Sequence, residues 1–189
     1  MPSFLSPVVP PGRLGGMGQP HLDAGTVHLR PWRNEDAEAL VAAYSDPVIQ
    51  QWHCRSMTFD EALQWVTDAR AGWRDETPAS WAIAADDGLA GRITLRPHLA
   101  DGWAEAAYWV VAAARGRGVA PLALQTATNW AFQVLGLHRV ELEHSTGNPA
   151  SCRVALKAGF AAEGTKRSHT LHPDGWHDMH LHARIAAIN

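Results

Sequence analysis

Val111-Ala112-Ala113-Ala114-Arg115-Gly116-Arg117-Gly118-Val119-Ala120 follows the apolar, aromatic run Ala106-Ala107-Tyr108-Trp109-Val110 and opens a long amphipathic segment. The order reads as strand, glycine-rich turn, helix N-terminus. Such a turn makes an anion site, because glycines let backbone N–H groups face a phosphate and the helix dipole adds partial positive charge. Arg115 and Arg117 stand beside it with full charges. A flexible surface loop explains a Gly-x-Gly equally well, so the flanks must decide. The turn lacks the Walker lysine and the Gly-x-Gly-x-x-Gly spacing, which argues against a nucleoside-triphosphate loop and a dinucleotide turn.

Working outward, the 189 residues suffice for one well-cored domain. With 46% hydrophobic and 19% charged residues, the chain is expected to fold. A net charge of −3 without long like-charge blocks argues against nucleic acid as a partner. Cys54 and Cys152 form no spacing motif and suit a reduced setting. No apolar run reaches the ~18 residues of a membrane span. The N-terminus lacks the basic start and apolar middle of a signal peptide. A cytoplasmic protein with no membrane partner is the expectation.

Residues 1–24, rich in Pro and Gly, read as an irregular arm that buries little, and residues 25–189 as the domain. Thr26–Arg30 alternates like a strand. Asn34 is placed to cap a helix with Ala37, Leu40, Val41 and Tyr44 on its buried face, ending at Asp46-Pro47. The capping box Thr58-x-x-Glu61 opens another helix. Strands follow at Ser80–Ala84 and Gly91–Leu95, joined by a turn at Asp86-Asp87-Gly88, and then at Trp103–Val111. A helix is expected from about Val119 to Leu135, with Val134 facing inward. His138–Glu143 is a strand, Asn148 and Pro149 start a short helix that Gly159 stops, and a hairpin turns at Asp174-Gly175.

Arg115-x-x-Gly118-x-Ala120 matches the Arg/Gln-x-x-Gly-x-Gly/Ala signature of the GCN5-related N-acetyltransferases (GNATs). Leu29-Arg30-Pro31-Trp32, Ala104 to Trp109, Leu137 to Glu141, Asn148-x-x-Ser151, Gly159-Phe160 and Trp176-His177-Asp178 resemble the RimJ/RimL-type branch, and the similarity spans Val27 to Arg184. The resemblance implies a single mixed α/β sheet of six to seven strands, flanked by about four helices and splayed at the cofactor turn. It further implies transfer of an acetyl group from acetyl-CoA to a primary amine, a protein α-amine or a small molecule, by direct attack in a ternary complex. A succinyl donor and a non-catalytic acyl-CoA sensor are the alternatives.

Val110, Val111, Arg115, Gly116, Arg117, Gly118, Val119, Ala120, Asn148 and Ser151 are the expected cofactor contacts. The reaction needs a base, a polarised carbonyl and a proton for the leaving thiolate. Glu105 is the candidate base, with Glu141 and Glu143 as rivals. Family members often carry the acid as a tyrosine on the short helix, which has none here; Ser151 is the substitute, and Asn148 is expected to position the pantetheine arm. Cys152 offers a covalent route, but lies roughly 100° round the helix from Ser151 and suits core packing better. The histidines His169, His172, His177, His180 and His182 lack a compact metal-binding pattern, and no metal is expected. The arm and the nine tryptophans suggest apolar surface for a homodimer.

Overall fold

The computed structural model describes residues 5–85 and 88–187. The expected turn at Asp86-Asp87 lies outside them. The chain runs β1 (Leu22–Asp23), β2 (His28–Arg30), α1 (Ala37–Ala43), α2 (Pro47–His53), α3 (Phe59–Arg74), β3 (Ala79–Ala85), β4 (Gly88–His98) and β5 (Trp103–Val110). It continues α4 (Val119–Trp130), β6 (Arg139–Ser145), α5 (Pro149–Lys157), β7 (Ala161–His172) and β8 (Gly175–Ile185).

All strands join one eight-stranded sheet in the order β1-β2-β3-β4-β5-β6-β8-β7. Among the described residues its only parallel pairing is β5 with β6. The alternation of side chains along the strands sends Trp81, Ile83, Ile93 and Ala106 into one apolar cluster with α4 and α5. Ala82 and Trp109 point the other way, into a second cluster with α1 to α3. The sheet thus separates a cofactor half from an α1–α3 half. At Gly91 the backbones of β4 and β5 come so close that a Cβ would collide with the Trp109 carbonyl oxygen.

Several details differ from the sequence reading. The strand count exceeds six to seven because the segment before Ala24 contributes β1. That segment also buries more than expected: Val9 and Leu14 are 2% and 0% exposed in the main cluster. Glu76 holds it down, its carboxylate accepting from the N–H groups of Gly12, Leu14 and Gly15. Asn34 opens a 3-10 turn rather than capping a helix; Asp36 closes that turn by accepting from Arg33 N at 2.8 Å. Asp46-Pro47 ends one helix and starts the next, since the Asp46 carboxylate accepts from Val48 N and Pro47 sits where its missing N–H costs nothing. After Trp130 the helix widens into a π turn over Ala131–Leu135. This shifts the phase, so Leu135 is buried and Val134 is 44% exposed. Three of the tryptophans fill the main core: Trp73, Trp81 and Trp130 pack with ring centroids 5.2 to 5.6 Å apart.

Candidate active site

The site begins where β5 and β6 part. Their pairing runs from Trp103↔Arg139 to Ala106↔Leu142 and stops, although both strands continue. Val111 N–H donates to Ala90 O on β4 at 2.9 Å, so alternation turns the polar groups of Tyr108 and Val110 toward the open side. The Tyr108 carbonyl there meets His53 Nε2 at 3.2 Å. Val111 uses its own carbonyl to accept from Ala114 N. Val110 is therefore the expected backbone contact that faces the cleft, and Val111 lies behind it.

Beyond the fork the chain makes a 3-10 turn over Ala112–Ala114 and enters α4 through Gly116 and Gly118, at φ 76° and 80°. Those left-handed values favour glycine, and open space surrounds both Cα atoms. The first-turn N–H groups of α4 have no partner within the helix and point at whatever lies before it. Arg115 is less free than the sequence suggested. It forms an ion pair with Asp46, the cap of α2, tying the glycine turn to the opposite half.

Between this turn and α5 lies a cavity of about 410 Å3. Val110, Arg115, Gly116, Gly118, Val119 and Ala120 line one wall, Asn148 and Ser151 the other. Arg117 and Val111 line instead a smaller cavity of about 210 Å3 toward β4. Asn148 Oδ1 accepts from Ser151 N at 3.0 Å, capping α5 as its spacing implied. Among the cavity residues that escaped the sequence reading are Arg153 and Lys157, cations at i, i+4 spacing down α5. That spacing after Asn148-x-x-Ser151 was the available signal.

The main addition is Tyr108. Its hydroxyl lies 2.7 Å from Ser151 Oγ, so β5 brings a tyrosine to the first turn of a helix that carries none. Burial pushes its pKa up to about 12, against the opposing hydrogen bond with Ser151. The phenol keeps its proton at neutral pH. His53, also in the cavity wall, is driven the other way: burial first, then the Arg92 charge, lower its pKa to about 4. It is neutral at pH 7, and with Nε2 donating to Tyr108 it is a weak proton acceptor.

The carboxylates expected as base candidates stand together, but outside the cavity. Glu105 and Glu141 face each other across the last turns of the β5–β6 ladder. Glu105 is paired with Arg96 at 3.2 Å, Glu141 with Arg139 at 2.7 Å, and Glu143 with Lys166. Cys152 is in the wall of neither of these two cavities; its Sγ is 3.9 Å from His182 Nε2.

A forked β5–β6 pair, a glycine turn at a helix N-terminus and a cavity ending on a hydroxyl pair define an acyl-CoA-dependent acetyltransferase. The chain belongs to the GNAT family: the model described as "Acetyltransferase (GNAT) domain" matches residues 26–161. Within it the chain falls in the RimJ/RimL branch and uses acetyl-CoA as co-substrate for N-acetylation. It is 29% identical to the uncharacterised N-acetyltransferase YoaA of Bacillus subtilis, over 79% of this chain and 88% of that one. It is 34% identical to the ribosomal-protein-serine acetyltransferase of Escherichia coli, over 43% of this chain and 46% of that one. Among solved structures, Mycobacterium smegmatis RimJ in complex with CoA-disulfide superposes with a TM-score of 0.78 at 27% identity. That match covers 88% of this chain and 86% of the other. No helix among the described residues is long and apolar enough to cross a membrane.

Proposed function

We propose that this enzyme acetylates the free α-amine of a peptide or protein N-terminus, the amine attacking acetyl-CoA directly in a ternary complex. The observation that carries the mechanism is the 2.7 Å contact between Ser151 Oγ and Tyr108 Oη at the end of the cavity. The pyrophosphate rests on the Gly116–Ala120 turn, and Arg153 and Lys157 face its negative charge. The thioester reaches the fork, where Val110 N–H polarises the carbonyl. As the C–S bond breaks, Ser151 gives its proton to the thiolate and recovers one from Tyr108.

The amine enters from the sheet face opposite α4, where Glu105 and Glu141 stand one residue before the fork. Glu105 takes its proton there; an α-amine with an ordinary pKa of about 8 needs little help. Names of relatives support the acceptor class, one of them being a ribosomal-protein-serine acetyltransferase. A CoA-release assay over N-terminal peptides and polyamines, read also by intact mass, tests this. Acetylation of polyamines alone would exclude the peptide acceptor.

The Tyr108–Ser151 contact supports a catalytic protein over a non-catalytic acyl-CoA sensor. The homodimer rests on the sheet edge, since Trp73, Trp81 and Trp130, with Val9 and Leu14 of the N-terminal segment, are buried within one chain. β7 is an exposed edge strand, and Leu171 and Trp176 on its hairpin are 59% and 63% exposed. Sedimentation showing only monomer at micromolar concentration would remove that claim.

A further inference from the structure

We propose that His144, Cys152, His180 and His182 form a binding site for one thiophilic d-block cation, of which Zn2+ is the best match. The site lies between the first turn of α5 and the sheet, apart from the cofactor cavity, whose walls include none of the four. The register of β6 and β8 places His144 directly opposite His180. His182, two residues on, shares the same face. Cys152 comes down from α5 over all three, and the ligand atoms lie within 4.8 Å of one another.

The spacing suits a tetrahedral ion. Zinc bonds of about 2.0–2.1 Å to nitrogen and 2.3 Å to sulfur put nitrogens about 3.3–3.4 Å apart and sulfur about 3.6 Å from nitrogen. His144 Nε2 and His182 Nε2 are 3.1 Å apart, and Cys152 Sγ is 3.9 Å from His182 Nε2. His180 completes the set, its ligand atom within 4.8 Å of the other three. Three imidazoles and a thiolate select zinc over magnesium or calcium, which prefer oxygen.

Hydrogen bonding already presets the ligands. His144 Nδ1 is 2.8 Å from the Ser145 carbonyl, so that nitrogen carries the hydrogen and Nε2 presents its lone pair inward. The adjoining His182 is 1% exposed, and its Nδ1 is buried without a hydrogen bond of normal geometry. Without a cation the pair is frustrated. If His182 Nε2–H donates to His144, Nδ1 is a bare buried acceptor; if Nδ1 carries the hydrogen, two lone pairs face each other. A cation bound by both Nε2 atoms removes the conflict by engaging both lone pairs and fixes the hydrogen of His182 on Nδ1. Cys152 loses its thiol proton to solvent on binding. Half-buried Cys152 and His180 supply the entry route. The ion has no part in acetyl transfer; it pins α5 to β6 and β8.

The test uses the untagged full chain, stripped with chelator and titrated with Zn2+ and Co2+. One equivalent should bind and raise the melting temperature. Co2+ should give intense tetrahedral d–d bands and a thiolate-to-cobalt charge-transfer band. Cys152→Ser should lose the charge-transfer band, His182→Asn should weaken binding more than about tenfold, and exposed His169→Asn should change neither. Circular dichroism checks folding, and His180→Asn, at a half-buried position, replaces His182→Asn if that variant unfolds. No saturable one-equivalent binding, or an unchanged spectrum and affinity in the Cys152 and His182 or His180 variants, would overturn the proposal.

Discussion

Ser151 and Cys152 are neighbours on the first turn of α5, yet they serve two different polar sites. Ser151 opens on the apolar cavity with Tyr108, whereas Cys152 faces three histidines on the sheet. One site is a passage, with walls that must admit a long co-substrate; the other is compact, its four ligand atoms within 4.8 Å of one another. The roughly 100° step between consecutive helical residues is enough to separate them. On the two proposals above, this short helix holds a reacting group and a clamp at once, and changes on one side should leave the other intact.

The largest effect expected on the cavity side is that of Gly118→Val. A Cβ at Gly118 meets no protein atom, but φ 80° strains a branched side chain, and the added bulk occupies the space before the helix N-terminus. Acetyl-CoA affinity should fall at least ~100-fold, nearly 3 kcal/mol, and the thermal shift caused by acetyl-CoA should vanish. The cobalt spectrum of the histidine cluster should persist. Undiminished acetyl-CoA binding by this folded variant would misplace the cofactor turn.

Next in size is an acid-sensitive stability contribution from His53. Its folded pKa of about 4 lies below the ordinary 6.5, so the unfolded state binds more protons between these values. Stability is full above about pH 6.5 and declines as pH falls toward 4, by roughly 2 kcal/mol after allowance for solvent reaching the cavity. His53→Gln, which keeps a donor for the Tyr108 carbonyl, should flatten that slope. Denaturant midpoints measured across this range would show it, and an unchanged slope would refute the cause.

A smaller effect should follow Asn148→Ala. Losing the cap should cost about 0.5–2 kcal/mol of stability. Because Asn148 also lines the cavity, the KM for acetyl-CoA should rise with it. A lower melting temperature with an unchanged KM would make Asn148 a cap only, and would sharpen the contrast between the two faces of α5.

What the sequence revealed follows how local each feature is. Arg115-x-x-Gly118-x-Ala120 and Asn148-Pro149 carry their signals within a few residues, and the turn and the cap appear where expected. Asp46-Pro47 was legible as a boundary but not as a helix start, because the same dipeptide ends one helix and caps the next. Tyr108 read as an ordinary strand residue. Only the fork of β5 from β6 lets its hydroxyl reach Ser151, 43 positions along the chain. The histidine cluster depends likewise on the β6–β8 register, which pairs His144 with His180 and is written in no spacing motif. Val134 was placed inside because a 3.6-residue period was continued through a turn that the protein widens.

In the proposed mechanism Ser151 and Tyr108 act as one unit that returns a proton to the leaving thiolate. A double-mutant cycle on kcat with Ser151→Ala, Tyr108→Phe and the pair tests it most directly, using acetyl-CoA and an N-terminal peptide. General acid catalysis is typically worth about 10²–10⁴-fold, and a thiolate is already a good leaving group, so each single change should lower kcat by about 10- to 100-fold. The pair should do little more than either alone, with acetyl-CoA KM nearly constant throughout. Multiplicative losses, or normal turnover in either single variant, would contradict the shared proton route.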